Sequence, residues 1–244
     1  MNLDLLRLYG PNLLEGLIVT FELVAVSMVL GAILAVPIAA ARLSGNRLVR
    51  AFAFAYVYFF RGTPLIAQLF LIYYGAGQFV DSLEAVGLWG FFREAFNCAV
   101  LAFTLNSAAY QAEIFRGAVR SVPQGQWEAG RALGLHSGPL LWKVVFPQAA
   151  MVALRPLGNE LILLIKASAI ASIVTVLDLM GETRRAFSRS YDLTIYLYAA
   201  VLYLIMVEAI RRVWNRLEAR LTRHLRQDAR TKSAQVADLA PIGH

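Results

Sequence analysis

The chain has little of what a soluble enzyme draws its chemistry from. Cys98 is the one cysteine among 244 residues, which excludes an intrachain disulfide and argues against a Cys-based metal site. His136, His224 and His244 are scattered, without metal-ligand spacing. No Gly-x-x-x-x-Gly-Lys-[Ser/Thr] phosphate loop occurs, so ATP binding by that route is not expected of this chain. Nucleophile, base and orienter cannot be assembled from what remains, and neither catalysis nor a resident cofactor or metal is expected. Charge is scarce as well. Asp, Glu, Lys and Arg make up 16% of the residues against 59% apolar, and the mean hydropathy is positive. A soluble domain of this length needs more polar surface, so the composition indicates a membrane protein.

The formal net charge of +7 comes from 23 Lys and Arg against 16 Asp and Glu. The basic residues sit in short loops between apolar runs. That placement fits the retention of positive loops in the cytoplasm and gives nucleic-acid binding little weight. Asp4, Arg7 and Glu15 ahead of a long apolar run, with no early small-residue cleavage site, do not resemble a cleavable signal.

A membrane-crossing helix needs about 20 mostly apolar residues, because hydrocarbon offers the backbone no partner. Five runs qualify: Leu13 to Ala41, Ala51 to Tyr74, Ala95 to Phe115, Met151 to Leu177 and Leu193 to Trp214. The fold expected is therefore an all-α integral membrane protein with five transmembrane helices. Arg42, Arg47 and Arg50 follow span one, and Arg116, Arg120, Arg131 and Lys143 follow span three. A run from Arg211 to Arg230 follows span five, whereas Asp81, Glu84, Arg93 and Glu94 separate spans two and three. The N-terminus is then expected outside and the C-terminus in the cytoplasm. Arg184, Arg185 and Arg189 dissent, offset by Asp178, Glu182 and Asp192. A permease-like domain over 1–226 is expected, with a polar, disordered tail over 227–244.

Ser121 to Pro147 is the most informative inside loop. Ser121 and Gln124 have capping-box spacing and Pro123 suits a first turn, predicting a short helix ended by Gly134. Ser137, Gly138 and Pro139 restart a second helix, expected to stop near Pro147. Small residues at Ala129, Gly130 and Ala132 would let another protein approach closely. A pair of interfacial helices anchored in lipid by Trp127 and Trp142 is an equal alternative on physics alone.

Polar groups inside the spans cost roughly 2.5–3.5 kcal/mol per charge on insertion scales, so each needs a reason. Arg61 and Thr63 fall near the middle of span two, Asn106 of span three and Glu160 of span four. Such convergence at one depth is what a midplane solute site requires. Asn159 shares a helical stripe with Arg155, Ile162 and Lys166 that is expected to face the bundle interior, with Glu160 about 100° round; Arg155, near the cytoplasmic end, could instead snorkel to the interface. Glu160 either attracts a substrate ammonium or guanidinium, with Asn106 as a neutral partner, or forms a buried ion pair with Arg61 or Lys166. Gly62 and Pro64 interrupt span two beside Arg61 and free backbone groups there. Glu208 is expected to pair with Arg211 and Arg212, and Glu113 with Arg116. Val176 to Tyr191 reads as an outer gate or a plain loop. A secondary transporter would show inverted repeats, a channel a repeated acidic ring; neither is visible. A scaffold gains nothing from buried polar groups.

Glu128-Ala129-Gly130, then Gly134, then Val144, Phe146 and Pro147 resembles the EAA loop of bacterial importer permeases, with Gly130 in place of an alanine. Phe60-Arg61-Gly62-Thr63-Pro64-Leu65, Asn106 to Glu113, and Leu157-Gly158-Asn159-Glu160-Leu161 are similar to the amino-acid branch of that family. Ile72-Tyr73-Tyr74-Gly75 resembles the histidine, arginine and opine permeases. The resemblance implies a type I ABC importer permease for polar or basic amino acids in a bacterial inner membrane. It implies ATP and Mg on a separate ATPase dimer, coupled through Glu128, Ala129, Gly130, Arg131, Leu133 and Gly134. It further implies a second permease copy or paralogue and an extracytoplasmic solute-binding protein, working by alternating access.

Overall fold

The structure, a computed structural model, describes residues 3–221; the tail expected to be disordered lies outside the described residues. All elements among those residues are helical. In chain order they are α1 (Leu3–Leu43), α2 (Arg47–Gly62), α3 (Leu65–Ala76), α4 (Val80–Ala85), α5 (Trp89–Phe92) and α6 (Ala95–Arg120). There follow α7 (Gln124–Ala132), α8 (Ser137–Leu140), α9 (Phe146–Ala167), α10 (Leu179–Ser190) and α11 (Thr194–Leu221).

Among the described residues three helices are long and apolar enough to cross a membrane: Leu5–Leu43, Ser137–Val174 and Thr194–Leu221. The second expected span is broken. α2 and α3 meet at a 101° bend around Thr63 and Pro64. With 16 and 12 residues they reach about 24 and about 18 Å, so neither alone crosses about 30 Å of hydrocarbon. The break has a local cause: Pro64 has no N–H to offer the Phe60 carbonyl four residues back.

Helix α6 is not among the apolar spans, and its surroundings explain why. It is packed against α1, α2, α3 and α9, and buries Asn106, Ser107 and Gln111 along with its alanines. A helix sheathed by others does not need an apolar surface. Phe103, Leu23, Leu69 and Ile165, all fully buried, form the main core where α1, α3, α6 and α9 meet.

The loop after α6 departs from expectation at both ends. Ser121 does not cap α7: its hydroxyl donates to the Ala118 carbonyl at 2.7 Å and closes α6 instead. Gln124 donates to Glu128 at 2.9 Å, one turn along α7. Gly134 does end the helix, at φ +76°, with the Leu135 N–H reaching back to the Gly130 carbonyl at 3.0 Å. The second short helix does not stop near Pro147. A π-helical turn over Leu141–Val145 carries it into α9, with the Phe146 N–H bonded to the Leu141 carbonyl. This wider turn accommodates the donor missing at Pro147.

Helix α10 is pinned to α1 rather than standing free. Thr20 Oγ1 accepts from the Leu179 N–H at 3.0 Å and donates to the Gly16 carbonyl at 2.9 Å. Asp178, fully buried, caps α10 through the Gly181 N–H at 2.9 Å. Thr175 (φ 69°) and Tyr191 (φ 53°), left-handed without being glycine, flank this segment.

Candidate functional site

The break in span two leaves the Phe60 carbonyl without its helical donor, and two side chains replace it. Asn106 Nδ2 donates to that oxygen at 2.9 Å and Gln68 Nε2 at 3.0 Å. The second Gln68 Nε2 N–H is shared between the Thr63 carbonyl (3.1 Å) and hydroxyl (2.8 Å), and Gln68 Oε1 accepts from Asn106 at 3.0 Å. Thr63 Oγ1 in turn donates to Phe59 O at 2.8 Å. Burying unpaired backbone groups costs about 1–3 kcal/mol each, so this brace is what makes the bend tenable inside a bundle. Asn106 and Thr63, placed by sequence at one depth, therefore do meet, but through Gln68. Sequence reading missed Gln68; the signal available was a lone Gln one turn past a Pro break in an apolar run.

Glu160 is 7% exposed and sits one helix over. Its Oε1 accepts from Ser107 Oγ at 3.1 Å. Ser107 accepts from Gln111 Nε2 at 3.0 Å, which also reaches the Met28 carbonyl at 3.1 Å. Gln111 Oε1 is buried without a hydrogen-bond partner among the described residues. α1 comes this close because Gly31 has no side chain; a Cβ there would lie 2.9 Å from Gln111 Nε2. The expected ion pair of Glu160 with Arg61 or Lys166 is absent among the described residues. Arg61 instead lies over Tyr110, its guanidinium 5.0 Å from the ring. Lys166 is exposed on the far face of α9.

Arg61 and Thr63 border a cavity of about 470 Å³ between α1, α2 and α6, with the Arg42–Glu113 pair at its other end. Glu113 accepts from Arg42 Nε at 3.0 Å and pairs with Arg116, so it serves two cations rather than the one expected. Glu208 pairs with Arg211 and Arg212 as expected.

Asn159 does not join this group. It is exposed, as are Arg155 and Lys166, so the stripe expected to face the bundle interior faces outward from this chain. Adjacent positions on a helix point about 100° apart, and here Glu160 took the buried side. Asn159 lines a second cavity, between α9 and α11, with Arg155, Arg211, Trp214, Asn215 and Glu218.

In the loop after α6, Glu128, Ala129, Arg131, Leu133 and Gly134 are exposed, Leu133 at 81%. Gly130 is buried. It faces its own chain: a Cβ there would lie 2.3 Å from Leu140 Cδ1. It is thus packed against its own chain within the loop.

Comparison with known proteins identifies the family of the chain. The profile of a family described as binding-protein-dependent transport system inner membrane component matches residues 27–224. The chain is similar to the nopaline transport system permease protein NocM of Agrobacterium fabrum, 40% identical over 227 residues, 93% of this chain and 94% of that one. It is similar to the histidine/lysine/arginine/ornithine transport system permease protein HisM of Salmonella typhimurium, 39% identical over 212 residues, 86% of this chain and 90% of the relative. Among solved structures, an amino acid ABC transporter with histidines superposes with a TM-score of 0.80 at 34% identity, covering 90% of this chain and all of that one. The MetNI methionine ABC transporter shares the fold, at a TM-score of 0.71 and 23% identity, over 86% of this chain and 96% of that chain.

Proposed function

Because the chain belongs to the family of binding-protein-dependent transport system inner membrane components, we propose that it carries polar or basic amino acids of the arginine, histidine or opine kind. It is the permease component of an amino-acid importer of the ATP-binding-cassette type, a transport subunit rather than an enzyme, as its relatives are named. The fold is that of a type I importer permease.

The observation that carries the substrate class is Glu160, a buried carboxylate with no ion-pair partner among the described residues, on a helix long and apolar enough to cross a membrane. A charge so placed is costly unless it meets a cation during function. Arg61 and Thr63 border the cavity between α1, α2 and α6, and the Gln68–Asn106 brace holds the broken span that presents them. In this reading Glu160 attracts the ammonium or guanidinium, while Asn106 acts mainly by keeping the bend in place. Five crossings follow if α1, the bent α2–α3 pair, α6, α9 and α11 each cross once. The arginine-rich loops then lie in the cytoplasm, with the N-terminus outside in a bacterial inner membrane. Glu128, Ala129, Arg131, Leu133 and Gly134 face a separate ATPase dimer that holds ATP and Mg. A second permease copy or paralogue completes the pathway, and an extracytoplasmic binding protein delivers the solute.

Glu160→Gln tests the assignment. Arginine uptake by the assembled transporter should fall at least tenfold with assembly intact, since the charge proposed to meet the substrate cation is removed while Ser107 keeps an acceptor. Unchanged uptake by correctly assembled protein would refute the role of Glu160.

A further inference from the structure

We infer that the cavity between α9 and α11 is a second amino-acid site, on the cytoplasmic half of the pathway and distinct from the one beside Glu160. The inference rests on the importer reading above for its orientation. The cavity has a volume of about 440 Å³, within the ~300–1,000 Å³ typical of small-molecule sites. Its walls hold both signs of charge and two neutral amides: Arg155, Arg211, Glu218, Asn159 and Asn215.

Their hydrogen-bonding state matters more than their number. Arg155 meets Glu218 through Nε alone, at 2.7 Å, leaving both terminal nitrogens without a hydrogen bond among the described residues. Asn159 and Asn215 make no side-chain hydrogen bond among the described residues either. Trp214, by contrast, is committed: its Nε1 donates to the Leu154 carbonyl at 2.9 Å and fixes the cavity wall. Gly158 permits this, since a Cβ there would lie 2.4 Å from Trp214 Nε1. A rigid wall thus carries a forked cation and two amides that make no side-chain hydrogen bond among the described residues. That set matches an α-amino acid zwitterion, with the substrate carboxylate on the Arg155 terminal nitrogens and its ammonium donating to the side-chain oxygens of Asn159 and Asn215.

Lipid does not fit this face. Arg155, Asn159 and Lys166 lie on one exposed stripe of a membrane-crossing helix, and charged groups within a span turn toward protein or a water-filled cavity. Asn159 directly precedes Glu160 and points away from it. A solute leaving the Glu160 side toward the cytoplasmic end of α9 would therefore pass this cavity. Occupied from the cytoplasm, the site would hold the pathway against further import.

The test uses the whole transporter in proteoliposomes, with binding protein and labelled arginine on the side that feeds import. The opposite side is loaded with L-arginine from zero to about 10 mM, spanning weak millimolar affinity. Wild-type uptake should fall as that concentration rises. Arg155→Gln and Asn215→Leu, each normalised to its own rate at zero arginine, should need about tenfold more arginine for half inhibition, a factor usual for one hydrogen bond to a charged group. Asn215→Leu leaves the Arg155–Glu218 pair intact, so its result does not depend on that pair's structural role. Insensitivity of an actively importing wild type, or equal sensitivity of wild type and both variants, would overturn the inference. So would a disulfide from Asn215→Cys to the second permease chain in the resting complex, because protein would then fill the cavity. Absence of any ATP-driven uptake would instead refute the importer reading itself.

Discussion

Replacing Asn106 separates a brace from a substrate contact. In the native bend Asn106 Nδ2 donates to two acceptors, the Phe60 carbonyl at 2.9 Å and Gln68 Oε1 at 3.0 Å. Asn106→Ala removes both bonds and strands Gln68 Oε1, in a residue 3% exposed. The Phe60 carbonyl keeps Gln68 Nε2 as its donor. One newly unsatisfied buried group costs about 1–3 kcal/mol, and measured side-chain bonds in membrane proteins average about 0.6 kcal/mol. A loss of about 1–2 kcal/mol is therefore expected. Asn106→Asp is worse. An ionised carboxylate would face two oxygens, and a protonated one could donate to only one of them, so a loss larger than that of alanine is expected. The assay pairs thermal unfolding of the purified assembled transporter with arginine uptake. The predicted order of stability is wild type, then alanine, then aspartate, with uptake following it. If Asn106→Asp were as stable as wild type and took up arginine better, Asn106 would be a direct contact for cationic solute and the brace would be wrong.

Further outcomes follow from close backbone approaches. Gly16→Ala places a Cβ 2.8 Å from the Asp178 carbonyl oxygen and 2.9 Å from Leu179 Cα. Backbone cannot yield cheaply, so α10 should detach from α1 at a cost of about 1–3 kcal/mol, seen as faster amide exchange in 179–190; unchanged protection would refute it. Gly158→Ala meets the Trp214 indole at 2.4 Å and should also cost about 1–3 kcal/mol, restored in part by Trp214→Leu in the double variant; additive losses would count against the contact. Gly130→Ala should gain up to about 1 kcal/mol of helix propensity yet lose it against Leu140, whose Cδ1 lies 2.3 Å from the new methyl. Only together with Leu140→Ala should the gain in propensity appear, and a single variant that is already stabilised would refute the packing role.

Much of this architecture was legible because single residues have strong local consequences. Gly62 and Pro64 announced the break in span two, Gly134 ended α7, and the spacings of Glu113 to Arg116 and of Glu208 to Arg211 and Arg212 gave ion pairs that form. What was not legible depended on neighbours far along the chain. The central place of α6 is set by four helices around it, and its polar residues weaken the very apolar signal that marks a span. Gln68 matters only because Asn106, 38 positions away, meets it. Which of Asn159 and Glu160 faces inward is a choice between two adjacent positions that periodicity alone leaves open. Gly130, in the alanine position of the importer loop, makes sense only once Leu140 is seen filling the space beside it.

Transport driven by a partner's ATP hydrolysis is the claim on which the account depends. Proteoliposomes holding this chain with the ATPase and second permease proposed for it should be given binding protein with labelled arginine, and energised with ATP or with an analogue that binds but is not hydrolysed. Concentrative uptake with ATP and none with the analogue is predicted. Equal uptake under both conditions, or uptake that follows an imposed ion gradient without nucleotide, would contradict it.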